Sequence, residues 1–156
     1  MTAVQAGMMT TPPLKGIHHI KFAVSNLSQS LQFYEEVFHA RRIVEWDHIH
    51  ADGSIYAHFL EIPGLGTYLE LRLNAEQAEK HRLFNVLTIA VEDRAALEDW
   101  ANMLDVLKVP HSPILVAIQA WLLVIEDPDQ NRLRLYTIER HGPEIEPDGS
   151  SPWLQD

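Results

Sequence analysis

Apolar and polar residues alternate over 16–24, so Ile20, Phe22 and Val24 fall on one face of a strand and His19, Lys21 and Ala23 on the other. The first face reads as core. The second carries an imidazole and an ammonium. Helical spacing takes over after the helix-start residues Asn26 and Ser28, with Leu31, Tyr34, Val37 and Phe38 on one stripe that ends near His39. Strands are predicted over 41–50, which holds Val44, Trp46 and Ile49, and over 55–62 and 67–73. Ala51-Asp52-Gly53-Ser54 and Pro63-Gly64-Leu65-Gly66 supply the turns between them. In the last strand Leu69, Leu71 and Leu73 point one way and Tyr68, Glu70 and Arg72 the other.

After a polar, partly helical connector over 74–83 the order starts again. A strand over 85–91 has Leu87, Ile89 and Val91 as its apolar face. Asp93 caps a helix striped by Leu97, Trp100, Leu104 and Leu107, and Val109-Pro110 stops it. Two strands fall within 114–126. Asp127-Pro128-Asp129-Gln130-Asn131 is a turn, and the last strand, 132–138, sets Leu133 and Leu135 opposite Arg132, Arg134 and Tyr136. The halves superpose: Val24-Ser25-Asn26 matches Val91-Glu92-Asp93 at an offset of 67 (91 − 24). At that offset Phe22 falls on Ile89, Phe33 on Trp100 and Val37 on Leu104, and with a small gap Leu69-Glu70-Leu71 falls on Leu133-Arg134-Leu135. The organisation read from this is a flexible N-terminal tail (1–15), module one (16–73), the connector, module two (84–140) and a loose, Pro- and Gly-containing C-terminal tail (141–156).

Composition narrows the function classes. An apolar fraction of 46% over 156 residues is that of an ordinary globular domain. The net charge of -10 without a basic cluster argues against nucleic acid and anionic membrane as partners. No cysteine is present, which removes disulfides, thiolate metal sites and a cysteine nucleophile. No apolar run approaches the ~18 residues of a membrane span. The N-terminus lacks the pattern of a signal peptide, so a cytoplasmic protein is expected.

Two copies of strand–helix–three strands, His19 at the head of the first strand and Asp127-Pro128-Asp129 before the last strand resemble the vicinal oxygen chelate superfamily. Its members include glyoxalases, extradiol dioxygenases, methylmalonyl epimerases and the fosfomycin and bleomycin resistance proteins. The resemblance implies an α+β fold in which two βαβββ modules form one open, cup-shaped barrel with helices outside. It also implies a homodimer and a small organic ligand. In the family, metal ligands come from the cup-facing side of the first and last strand of each module. Carried onto this chain, those positions are His19, Glu70, Val86 and Arg134. Val86 offers no donor. A guanidinium ~4 Å from a divalent cation is repelled by ~8 kcal/mol at an effective dielectric near 20. No cofactor is therefore expected. If a metal binds, His19 and Glu70 are its ligands.

The resulting expectation is an enzyme acting on a small organic molecule by isomerase-, lyase- or cyclase-type acid–base chemistry with a degenerate metal site. His19, Glu70 and Arg134 are its candidate catalytic residues, with Arg134 paired to Glu70 where a metal's charge would stand; a structural pair of Glu70 with Arg134 or Arg72 is the competing reading of that carboxylate. Lys21, Trp46, Tyr68, Arg72, Val86, Trp121 and Tyr136 are the candidate substrate-binding residues. One alternative is a metal-free binder that sequesters a drug, of the bleomycin-resistance type, with Trp46, Tyr68, Trp121 and Tyr136 stacking on the ligand. A second is a metal-dependent glyoxalase or dioxygenase. Trp46, His48 and His50 on one strand face, with His58 on the next, read first as a half-exposed sheet face and second as another metal site.

Overall fold

A computed structural model describes residues 11–155. The first ten residues of the expected N-terminal tail, and Asp156, lie outside the described residues.

Module one runs β1 (His19–Val24), α1 (Leu27–Phe38), β2 (Arg41–Arg42), β3 (His48–Ile49), β4 (Ile55–Glu61) and β5 (Tyr68–Leu73). A short helix α2 (Ala75–Lys80) connects it to module two: β6 (Asn85–Val91), α3 (Arg94–Leu107), β7 (Leu115–Val116), β8 (Ala120–Glu126) and β9 (Arg132–Arg140). Both long helices start where the sequence places them. The Asn26 side chain accepts from the Gln29 amide at 3.0 Å, and Asp93 accepts from the Ala96 amide at 2.8 Å. The strand expected over 41–50 is instead two short strands separated by a 3-10 turn at Val44–Trp46. That turn lifts Trp46 out of the ladder.

The strands form two separate sheets, ordered β1-β5-β4-β2 (with β3 also on β4) and β6-β9-β8-β7. In each, the first and last strands of the module run parallel and adjacent. This overturns the expectation of one cup-shaped barrel: among the described residues the two sheets do not close into one, while the two βαβββ modules with helices around them are kept. The reason lies in the apolar faces. Phe22, Val24, Leu69 and Leu71 of the first sheet, Leu123, Leu133 and Leu135 of the second, Tyr34 and Phe38 of α1 and Leu97 and Leu104 of α3 all enter one core. Each sheet spends one apolar face on that shared core; the outer face of the first sheet is polar, while that of the second carries Leu122, Val124 and Tyr136 under the C-terminal segment.

Asp127-Pro128-Asp129 clasps the modules together. Buried Asp127 accepts from the Tyr34 hydroxyl of α1 at 2.9 Å, and Asp129 accepts from the Ser25 amide at 3.0 Å. Burial pushes the Asp127 carboxyl above its ordinary range, against hydrogen bonds from Asn131 and Tyr34 that pull it down.

The segment after β9, expected to be loose, is tied to the second sheet. Trp153 and Leu154 pack on Leu115, Leu122, Val124 and Tyr136. The Arg132 guanidinium lies 4.8 Å from the Trp153 ring centre, and the Val116 amide donates to Asp148 at 2.7 Å. Among the described residues no helix is long and apolar enough to cross a membrane.

Candidate functional site

The parallel register of β1 on β5 sets His19 beside Tyr68, Lys21 beside Glu70 and Ala23 beside Arg72. On the other flank β4 sets Phe59 beside Glu70 and Ala57 beside Arg72. Side-chain alternation puts all of these on the polar face of the first sheet. Glu70 is at its centre and is only 2% exposed. A carboxylate so buried must be paired. Arg72 Nε donates to its Oε2 at 2.7 Å, and His19 Nε2 lies 3.3 Å from its Oε1. Lys21, though directly opposite on the neighbouring strand, makes no ion pair among the described residues.

The other nitrogen of His19 meets a residue that the sequence reading passed over. His18 Nδ1 lies 2.9 Å from His19 Nδ1, so one of the two carries a proton and the other accepts it. The tautomers that fit both contacts put a proton on His19 Nε2 toward Glu70 and one on His18 Nδ1 toward His19. Glu70, His19 and His18 then form a file from the buried carboxylate to the surface. The His18 ring stacks on Trp46 at 6.1 Å between centres. The repeated histidines at 18 and 19 were visible in the sequence. The contact was not, because His18 precedes the first ladder residue.

These groups border a cavity of about 440 Å³ lined by His18, His19, Trp46, His48 and Phe59, among others. Phe59 meets His19 edge-on at 5.0 Å and Trp46 at 5.8 Å. Tyr68 meets Trp46 at 4.8 Å. The Trp46 turn is anchored from behind by Asp47, which takes hydrogen bonds from Arg42 and from His58 Nδ1 at 2.9 Å. Burial alone would raise the Asp47 carboxyl, yet these bonds outweigh it and hold it below its ordinary value. An acid with a lowered folded-state pKa stabilises the fold above its unfolded value, and that contribution is lost as the pH falls through the folded value. The thermal-stability advantage of the native chain over Asp47→Asn is therefore expected to be full at pH 6 and to shrink below about pH 3.8. An advantage that stays constant from pH 6 to pH 3 would contradict the Asp47 anchor.

The structure thus gathers His19, Glu70, Arg72, Trp46 and Tyr68 on one face, with Lys21 at its edge. The other four candidates stay with the second sheet. Arg134 lies on β9 between Thr88 and Val124, and Arg72 rather than Arg134 fills the Glu70 carboxylate. Val86 sits where the β6–β9 register shifts between Asn85 and Leu87, and it packs on the shared core. An offset of 67 could not reveal that irregularity. Trp121 meets His141 at 5.2 Å, and Tyr136 is packed with Trp153.

A metal centre does not fit these residues. Among the described residues no group of three His, Cys, Asp or Glu side chains is placed to hold a metal ion. His19 and Glu70 would supply two donors, and Arg72 already holds the second carboxylate oxygen, where it would repel a cation by several kcal/mol. The three histidines of the alternative site also part company. His58 is buried on Asp47, His48 lies 5.2 Å from the Phe59 ring centre, and His50 stacks on Tyr56 at 4.2 Å.

Two βαβββ modules, each pairing its first strand with its last, and a polar pocket on the first strand pair define a vicinal-oxygen-chelate-type small-molecule protein. The family model for the Glyoxalase/Bleomycin resistance protein/Dioxygenase superfamily matches residues 16–135, and the chain belongs to that family. Among curated proteins it is 29% identical over 91 residues to the metallothiol transferase FosB of Staphylococcus haemolyticus (58% of this chain, 59% of that one). It is 29% identical over 87 residues to FosB of Staphylococcus epidermidis, covering 56% of each. The chain thus spans less than two thirds of the length of the curated relatives it matches. The fold is shared with the fosfomycin resistance protein FosX of Listeria monocytogenes (TM-score 0.65, 16% identity, 81% of this chain and 96% of that one). It is also shared with a glyoxylase/bleomycin resistance protein/dioxygenase domain from Frankia sp. EAN1pec (TM-score 0.62, 20% identity, 80% and 98%).

Proposed function

We propose that the chain is an enzyme that moves a proton on a small organic molecule held against the polar face of the first sheet, in an isomerase- or lyase-type reaction. The observation that carries this reading is the buried Glu70 carboxylate shared between His19 at 3.3 Å and Arg72 at 2.7 Å. An ionised carboxylate beside an imidazole fixes the ring and its tautomer and offsets the charge the ring gains on taking a proton. Arg72 pairs with the carboxylate at 2.7 Å and offsets part of the cost of burying it. His19 is the acid–base group: Nε2 stays on Glu70, and Nδ1 takes the substrate proton once the bound molecule displaces the His18 hydrogen bond that occupies that nitrogen in the free protein. Trp46 and Phe59 exclude water from one side of the bound molecule and strengthen the electrostatics within.

Trp46 favours a second reading, a binding protein. It is 39% exposed, at the mouth of the cavity, with rings of His18, Phe59 and Tyr68 around it. Such a surface stacks on a planar ligand whether or not chemistry follows.

Incubation with a panel of small carbonyl compounds and carboxylic acids, followed by proton NMR, separates the two. The enzyme reading expects a product whose rate of formation falls by about 10²- to 10⁴-fold in His19→Gln, with KM changed little. A ligand that binds the native protein, loses at least tenfold in affinity in Trp46→Ala and is recovered unchanged after long incubation would sink the enzyme and leave the binder.

A further inference from the structure

Beyond Arg72, the same face of the first sheet opens into a second cavity of about 580 Å³. Its lining contains Lys21, Arg72, His50 and His81, the amides of Asn74 and Gln77, and no carboxylate. The chain as a whole carries 22 acidic residues against 12 lysines and arginines, so a cavity wall without an acid departs from the rest of the molecule. Its cations are also held in place. The Arg72 guanidinium lies 5.1 Å over the Tyr56 ring while bonded to Glu70, and His50 stacks on the same ring at 4.2 Å. Lys21 has no ion-pair partner among the described residues, so its ammonium is available to a ligand. Gln77 Nε2 and His81 Nε2 stand 3.1 Å apart on the opposite wall.

We propose that this cavity binds a compact oxyanion, the carboxylate or phosphate group of the substrate. Lys21 supplies the charge, and the side-chain amides of Asn74 and Gln77 the hydrogen bonds, with His81 Nε2 orienting the Gln77 amide. The inference rests on the reading that substrate lies on this face, and it names the substrate class: a small molecule with an acidic group. Lys21 and His19 are two residues apart on one strand face, which separates the anion from the reacting centre by about 7 Å. That distance spans four or five bonds of a short-chain acid. Arg72 lies between the two cavities and positions the carboxylate of the first while lining the second.

The test is a titration of the ¹⁵N-labelled protein with inorganic phosphate and, separately, with succinate at constant ionic strength, with chloride as control. Saturable shifts are expected at the amides of Lys21, Arg72, Asn74 and Gln77, and the tighter of the two anions identifies the group. Lys21→Met should weaken binding at least tenfold. Glu70→Gln, which disables the proposed proton transfer, should leave it within threefold. Shifts scattered over the surface without saturation, or native affinity in Lys21→Met, would overturn the anion site. Either result leaves the His19–Glu70 reading standing. Retained anion binding by a protein that turns over nothing would instead sink only the catalytic reading.

Discussion

Asp127→Ala is expected to be among the most destabilising single changes in this chain, lowering the melting temperature by about 10 °C. The carboxylate is 4% exposed and accepts four hydrogen bonds: from the Tyr34 hydroxyl at 2.9 Å, Asn131 Nδ2 at 3.0 Å, and the Asn131 and Asp129 amides at 2.9 and 3.0 Å. Leaving a buried donor unsatisfied costs about 1–3 kcal/mol, and water entering the hole recovers part of it, so about 3–5 kcal/mol is the expected loss. Tyr34→Phe removes one of the four and should cost only about 1 kcal/mol. The pH dependence carries a sign opposite to that of Asp47. A carboxyl raised in the folded state adds stability that is full below its unfolded value and fades as the pH rises through the folded one. The gap between native chain and Asp127→Ala should therefore widen from pH 7 toward pH 4. Thermal unfolding of Asp127→Ala within 2 °C of the native chain would refute the clasp.

The clasp also shows how far the sequence could be read. Asp127-Pro128-Asp129 was legible as a turn and as part of a family resemblance, while its partners Tyr34 and Ser25 lie about a hundred positions away and carry no local signal. The duplicated frame, both helix caps and the polar face of β1 and β5 followed from period-2 and period-3.6 patterns, and the structure keeps them. The relation between the modules did not follow. Alternation says which side of a strand is apolar, not whether two apolar sides meet each other or enclose helices. Alternation therefore leaves both Arg134 and Arg72 as partners for Glu70, and the structure selects Arg72, two positions along the same strand, at 2.7 Å. The 3-10 turn at Val44–Trp46 is hidden for a related reason: the adjoining Asp47 is fixed by Arg42 and by His58 on β4, contacts that no period encodes.

Glu70→Gln is expected to lower turnover by at least a hundredfold while leaving ligand affinity within about threefold. Glutamine keeps the shape of the side chain, and its carbonyl oxygen can still accept from Arg72. Its amide then turns a donor toward His19 Nε2, in place of an acceptor. The imidazole is driven to the other tautomer, its proton moves to Nδ1, and the file running through His18 is reversed. The charge that would offset a protonated His19 is lost as well, while the Arg72 guanidinium remains and opposes it. Both effects act on the proton-transfer step and not on the walls that hold the ligand, which is why kcat should carry the loss and KM should not.

The most direct measurement is solvent-deuterium incorporation. In D₂O, a small carboxylic or carbonyl substrate turned over by the native protein should acquire deuterium at the carbon from which His19 removes a proton. Proton NMR would follow the loss of that C–H signal. The same signal should disappear at least a hundred times more slowly with Glu70→Gln, in a protein whose melting temperature shows it to be folded. Incorporation at the native rate in folded Glu70→Gln would contradict the account.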